Sequence, residues 1–179
     1  MYAYINGYGA PRDPLHDGNL GRYLEQVLEH LREHRDAGIN LFLAGGYTNR
    51  EDLSEAEAMH QWLKNYGLPN YVSVHLIDTT TTARDNMLEF RKRVNDVPVL
   101  IFCEYSRQPT MRFFAQKLFR QSLIQGLKFD KPSLKLAHRM KQQTVKLWLE
   151  KLAWHNKTID ALRNRLRERH VARVRAQMR

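Results

Sequence analysis

Two rhythms of apolar residues alternate along the first two-thirds of the chain. Short continuous apolar runs that end at Gly, Asp or a polar loop read as buried strands, and segments with apolar residues every three or four positions read as amphipathic helices. Met1 to Asn6 is a first strand, stopped by Gly7 and Gly9. Leu20, Tyr23, Leu24, Val27, Leu28 and Leu31 form a helical stripe, with Gly38 as its expected C-terminal cap. Asn40 to Ala44 is a second strand, stopped by Gly45 and Gly46. Ser54 with Glu57 three residues on is a capping box, and Gly67-Leu-Pro69 ends that helix.

The pattern then repeats. Val72 to Ile77 is a strand ending at Asp78, Thr82 caps a helix striped by Ala83, Met87, Phe90 and Val94, and Val97 to Phe102 is a central strand. Met111, Phe114, Ala115 and Leu118 mark the next helix, and Ser122 to Lys128 offers a fifth strand. Such units predict an α/β, Rossmann-like three-layer sandwich, in which right-handed crossovers cover both faces of a mostly parallel sheet of four or five strands. The expected division is a Rossmann-like domain over 1–130 and a basic amphipathic helical tail over 131–179, with the change of character at Lys131-Pro132. In the tail, Met140, Thr144, Leu147 and Trp154, then Ile159, Leu162, Leu166, Val174 and Met178, keep a helical period on either side of His155-Asn156.

Charge sharpens this division. Residues 1–120 hold 14 Lys and Arg against 15 Asp and Glu, whereas residues 121–179 hold 15 against 4. The body is neutral and the tail carries the net charge of +10. Arg163, Arg167, Arg169, Arg173 and Arg175 are the expected contacts to a polyanion, an acidic protein or an anionic lipid surface, unless they form a solvated face. The apolar stripe from Met140 to Leu166 is expected to pack on the body or to form a homodimer. One cysteine makes no intrachain bridge, no apolar run approaches the roughly 20 residues of a membrane span, and 1–10 carry no Lys or Arg, so the expected protein is cytoplasmic.

In a parallel sheet the ligand crevice lies beyond the carboxyl ends of the strands. The loops there hold Gly7 and Gly9, Gly45 and Gly46 with Arg50, Asp78 with Thr79 to Thr82, and Cys103 to Arg107. Glycines allow close backbone approach, hydroxyls and helix-terminal amides suit anions, and Arg50 or Arg107 can pair with phosphate. A small anionic ligand, such as a nucleotide or a phosphorylated metabolite, fits this rim. Glu104, a carboxylate at the exit of the most buried strand, is the candidate catalytic acid or base, with Glu55, Glu57 and Asp78 as companions. Cys103 reads as a buried small residue. His30-Leu-Arg-Glu33-His34 has the inverted zinc-protease spacing, but the stripe of its helix turns both histidines to a solvated flank.

The stretches GGYTNREDLSEAEAMHQWLKNYGLP and VSVHLIDTTTTARDNM resemble the two signatures of the YdcF-like (SanA/ElyC-related) family, whose common domain has no assigned function. There a Gly-Gly turn, a Ser-Glu-Ala-Glu helix start, a Gly-Leu-Pro helix end and an acidic residue before a Ser/Thr-x-Thr-x-Glu-Asn segment follow in order. Gly45 and Gly46, Ser54 to Glu57, Gly67 to Pro69, and Asp78 with Thr80, Thr82, Asp85 and Asn86 match these positions. Asp85 replaces the family's Glu, and Cys103-Glu104-Tyr105-Ser106-Arg107 lacks the His of the Asp-Tyr-His-x-x-Arg run. The resemblance implies a Rossmann-like domain with a nucleotide-like or S-adenosylmethionine-like ligand and, in several members, a link to the cell envelope. The binding residues it and the loops together indicate are Gly7, Gly9, Gly45, Gly46, Ser54, Glu55, Glu57, Asp78, Thr80, Thr82, Asp85, Asn86 and Arg107. The alternative is a non-catalytic adaptor whose tail binds nucleic acid or an acidic partner.

Overall fold

Continuous apolar runs bury both faces of a strand, so the most apolar runs belong at the centre of the sheet. A computed structural model of the chain describes residues 1–36, 38–48, 50–129 and 135–178, without the side chains of 135–139, 174–175 and 177–178. Its strands are β1 (Tyr2–Asn6), β2 (Ile39–Ala44), β3 (Val72–Ile77), β4 (Val99–Glu104) and β5 (Ser122–Leu127). All pair in parallel in the order β3-β2-β1-β4-β5, with Tyr4 in register with Phe42 and Ile101. Every residue of the inner strand β4 is buried, whereas β3 and β5 at the edges are half-exposed.

The helices are α1 (Gly18–Arg32), α2 (Glu55–Tyr66), α3 (Ala83–Arg93), α4 (Gln108–Leu118), α5 (Lys135–His155) and α6 (Lys157–Met178). The chain steps outward from β1 to β3, then returns past β1 to β4 through α3. That reversal puts α1 and α2 on one face and α3 and α4 on the other. The first pair packs on Ala3, Ile5, Leu41, Leu43 and Phe102, and the second on Tyr4, Phe42, Ile101 and Cys103. The chain is thus a three-layer α/β sandwich of Rossmann-like form with C-terminal helices.

Local signals set the helix ends. Asp17 caps α1 by accepting from Leu20 N–H at 2.7 Å, and Ser54 and Glu57 close the capping box of α2. Gly67 ends α2 at φ +100°. Gly38 does not cap α1 as expected: the helix ends at Arg32, and the Gly38 carbonyl accepts from the N-terminal ammonium at 2.6 Å. Polar residues 33–36 fill the gap and have no apolar position to keep the helix on the sheet.

Asn156 separates α5 from α6 because its side chain accepts from the N–H groups of Thr158 and Ile159, which caps the second helix. The hairpin lies on the α3/α4 side. Ala153 is buried, and Trp154 packs against Phe113 and Phe114 beneath the Arg84 guanidinium, 4.9 Å from the ring centre. Arg84 pairs with Asp160 at 2.7 Å, and Arg163 bonds both Glu150 and Asp160. Only part of the tail stripe packs on the body. Met140 and Leu147 are half-buried, but Thr144, Leu162 and Leu166 are exposed, because the ion pairs occupy the inner face of α6. No helix among the described residues is long and apolar enough to cross a membrane.

Candidate functional site

The order β3-β2-β1-β4-β5 has its switch point between β1 and β4, where the chain leaves the sheet in opposite directions and a crevice opens. A cavity of about 230 Å³ lies there. Its floor comes from Asn6 and Gly7 after β1, Gly45 and Thr48 after β2, Glu55 at the start of α2, and Thr81, Thr82, Ala83 and Asn86 at the start of α3. Arg107, Thr110, Met111 and Phe114 form the wall of the β4–α4 connection. The roof is the C-terminal hairpin, with Gln143, Lys146, Leu149 and Glu150 from α5 and Arg163 and Arg167 from α6.

Six of the residues singled out in the sequence as binding candidates line this cavity: Gly7, Gly45, Glu55, Thr82, Asn86 and Arg107. Arg107 donates to the Gly7 carbonyl at 2.7 Å, which ties the two loops of the switch point together. Glu55 accepts from the Thr48 hydroxyl. The Glu55 side chain lies over both glycine turns. A Cβ on Gly45 would come within 2.6 Å of the Glu55 Cβ, and one on Gly7 within 2.7 Å of the Ala44 carbonyl.

The other candidates do not line the cavity, and their contacts explain why. Gly46 is pressed against the backbone of Asp78 and Thr80, 2.7 Å from the Asp78 carbonyl to a would-be Cβ. Its small size serves chain packing rather than ligand approach. The Gly45 and Gly46 carbonyls accept the first amides of α2, Ala56 N–H at 2.9 Å and Glu55 N–H at 3.2 Å, so that helix start is satisfied by protein. Ser54 and Glu57 are committed to each other, Thr80 donates to Asn86, and Asp85 accepts from Thr82 at 2.6 Å. Gly9 stands in the loop beyond Gly7, at φ 121°. Arg50 clamps a surface loop, bonding Asp52 and the carbonyls of Pro11 and Arg12.

Glu104 likewise lies outside the lining. Its buried carboxylate accepts from the N–H of Ser106 at 3.1 Å and from the Ser106 hydroxyl, so it caps the short turn Tyr105–Arg107. Burial pushes the Cys103 thiol up to about 12, with Arg107 opposing and Glu104 adding, so it is no thiolate at neutral pH. His30 bonds the Gln26 carbonyl, and among the described residues no group of three or more His, Cys, Asp or Glu could hold a metal ion.

The tail arginines divide. Arg169 and Arg173 are exposed, which a solvated face and a polyanion contact both require, but Arg163 and Arg167 turn inward. Arg163 meets Glu150 and Asp160, and Arg167 donates to the Thr81 carbonyl at 2.7 Å. A surface arginine needs no protein partner, whereas these two close the roof of the cavity. The side chains of Val174, Arg175 and Met178 lie outside the described residues, as do Asn49, Lys131 and Pro132.

Electrostatically the cavity is cationic. Arg107, Lys146, Arg163 and Arg167 face Glu55 and Glu150, and the Glu150–Arg163 pair neutralises itself. Partial desolvation, with Arg107 and Arg167 nearby, lowers the Lys146 pKa, and Arg167 is lowered by burial against a Glu55 charge that supports it. Burial raises the Glu150 pKa despite Arg163. Three donors on this wall and roof are buried without a partner: the Thr110 hydroxyl and the Nε groups of Arg163 and Arg167. Sequence reasoning missed Thr48, Thr110, Gln143, Lys146 and Glu150. One signal was available for the hairpin: Glu150 and Arg163 stand six and seven residues either side of Asn156, which is where a helical hairpin brings an acid and a base together. Comparison with protein-family models, curated proteins and solved structures found no match, so the function is read from the site itself.

Proposed function

We propose that this chain is a cytoplasmic YdcF-like protein that binds a small anionic, nucleotide-like ligand in the cavity at the carboxyl edge of its sheet. The observation that carries this reading is the excess of cations over carboxylates in a cavity whose buried donors lack protein partners. A buried unpaired donor is unfavourable by about 1–3 kcal/mol, and the residues that carry three such donors line this cavity. The volume of about 230 Å³ is just below the roughly 300–1,000 Å³ of drug-sized sites, which favours a compact metabolite over an extended dinucleotide. The YdcF-like resemblance of residues 41–87 agrees, since Gly45, Glu55, Thr82 and Asn86 of that stretch line the cavity.

The test is calorimetric titration of the full chain with AMP, ADP and S-adenosylmethionine, beside Gln143→Trp, which fills the cavity from the roof. Binding of at least one probe at millimolar concentration or tighter, lost in Gln143→Trp, is expected. Failure of every probe, or binding indifferent to that variant, overturns the reading.

A second reading rests on the outer face of the hairpin. Arg165, Arg169 and Arg173 of α6 are exposed, as are Leu162 and Leu166 beside them in sequence and Val145 and Trp148 of α5, which gives basic and apolar surface suited to nucleic acid or an acidic partner. RNA binding that weakens steeply with salt and survives Gln143→Trp would favour it over the small-ligand reading.

A further inference from the structure

We infer that the ligand presents a dianionic phosphoryl group, and that Arg107, Lys146 and Arg167, with the Thr110 hydroxyl, hold it at the junction of α4 with the C-terminal hairpin. The inference rests on the small-ligand reading above and adds the chemical class of the ligand and the part of the chain that selects it.

The charge balance comes first. Once Glu150 and Arg163 are paired, three cations face the single remaining carboxylate of Glu55. A lone carboxylate on the ligand would leave one positive charge uncompensated, and the sulfonium of S-adenosylmethionine would add another. A phosphomonoester brings close to two negative charges at neutral pH and three oxygens that accept charge-assisted hydrogen bonds.

The donors point the same way. Thr110 is only 8% exposed, lines the cavity, and its hydroxyl has no partner. It lies in the first turn of α4, an 11-residue helix that runs on directly from the Tyr105–Arg107 turn, whose Tyr105 carbonyl accepts from the Gln108 N–H and whose start Glu104 caps. An unpartnered hydroxyl beside these cations suits a phosphate oxygen. Arg167 uses one terminal nitrogen on the Thr81 carbonyl and leaves its Nε buried and unpaired. Desolvation chiefly lowers the Lys146 and Arg167 pKa values; Arg107 adds to both, and at Arg167 the Glu55 charge opposes the shift.

Two of the three cations therefore come from the C-terminal hairpin, and the phosphate site is incomplete without it. Away from this cluster, Asn6, Thr48, Glu55 and Asn86 offer acceptors and amide donors for hydroxyl or amino groups of the rest of the ligand. A phosphorylated sugar or a mononucleotide has this polarity.

The experiment titrates the full chain, at low ionic strength, with AMP, ribose 5-phosphate and inorganic phosphate against adenosine and S-adenosylmethionine. AMP should bind about tenfold or more tightly than adenosine and S-adenosylmethionine. Lys146→Gln, Arg167→Gln and Thr110→Val should each weaken AMP by about tenfold and leave adenosine unchanged. Arg167→Lys, which keeps the charge, should recover part of the loss. Unfolding midpoints of the variants close to wild type keep the comparison a binding measurement, and Thr110→Ser serves as a second variant at the one buried position. Adenosine or S-adenosylmethionine binding as tightly as AMP, with Arg167→Gln neutral and Gln143→Trp blocking, overturns the phosphate site while the cavity reading stands. No binding by any probe overturns both.

Discussion

The two helical layers of this sandwich differ in how completely they close. On one side, α1 and α2 bury seven and six residues, Leu24, Leu28, Met59 and Leu63 among them. On the other, α3 and α4 bury only three and four, and Trp154 of the C-terminal hairpin completes the layer. All five buried side-chain atoms without a hydrogen-bond partner among the described residues belong to this second side: those of Tyr4, Arg84, Thr110, Arg163 and Arg167. A sealed apolar layer supports stability, while an incomplete one roofed by charged helices leaves room and unsatisfied donors for a ligand.

The largest expected effect separates these roles. Leu28, 1% exposed in the sealed layer, should lose about 2–5 kcal/mol of global stability on Leu28→Ala, the usual range for a truncated core leucine. Denaturant unfolding should show this as a lower midpoint with little change in slope. Trp154→Ala should shift that midpoint less, while amide exchange in α5 and α6 accelerates, exchange in β1 stays slow, and probe binding in the cavity is lost. If Trp154→Ala unfolds the sheet as readily as Leu28→Ala does, the hairpin is part of the core and the contrast between the layers fails.

The same contrast decides what the sequence revealed. Strands such as Val99–Glu104 and stripes such as Leu20 to Leu31 follow from local apolar period, because burial in the sheet and the sealed layer is what that period records. Gly7, Glu55, Thr82 and Asn86 of the floor and Arg107 of the wall were visible as glycine and polar residues placed after strands or at helix starts. Gly46 and Glu104 have the same placement, but their partners are the backbone of Thr80 and the hydroxyl of Ser106, which no linear pattern displays. The roof was hidden for a different reason. Where Lys146 and Arg167 face depends on the docking of Trp154 and on the Arg84–Asp160 pair, contacts between segments far apart in the chain.

A pH series sharpens the contrast at intermediate size. The Lys146 pKa is lowered from its usual 10.5, so as pH rises the folded chain releases this proton before the unfolded chain does. Between the lowered value and 10.5 the unfolded state binds more protons, and Lys146 makes stability rise with pH. Anion affinity should move the opposite way, falling across that window as the charge disappears. Titrating AMP from neutral to alkaline pH should show a fall that Lys146→Arg removes, since arginine stays charged. An unchanged profile in Lys146→Arg would take Lys146 out of the site.

The smallest effect concerns two carboxylates on one helical turn. Glu55 faces the cavity and accepts from Thr48, whereas Glu57 accepts from the Ser54 N–H at 2.9 Å and belongs to the capping box of the sealed layer. That N–H bond chiefly holds the Glu57 pKa below its usual 4.5, opposed by burial and helped by the Ser54 and Tyr47 hydroxyls. A lowered carboxyl pKa contributes stability that is present above 4.5 and is lost as pH falls through the folded value. Glu57→Gln keeps an acceptor for the cap but cannot titrate, so its stability should decline less on acidification, although Asp13 and Asp52, also lowered, keep part of the acid limb in place. Ser54→Ala should lower stability at neutral pH by about 1 kcal/mol, the usual loss of an N-cap. Neither substitution should change AMP affinity much, because the cap touches the cavity only through the helix it holds. Glu55→Gln should alter AMP affinity, and thermal unfolding and calorimetry on the same three variants read both quantities. Should Glu57→Gln alter AMP affinity as strongly as Glu55→Gln, the helix start acts as one unit and the division of labour between these neighbours is wrong.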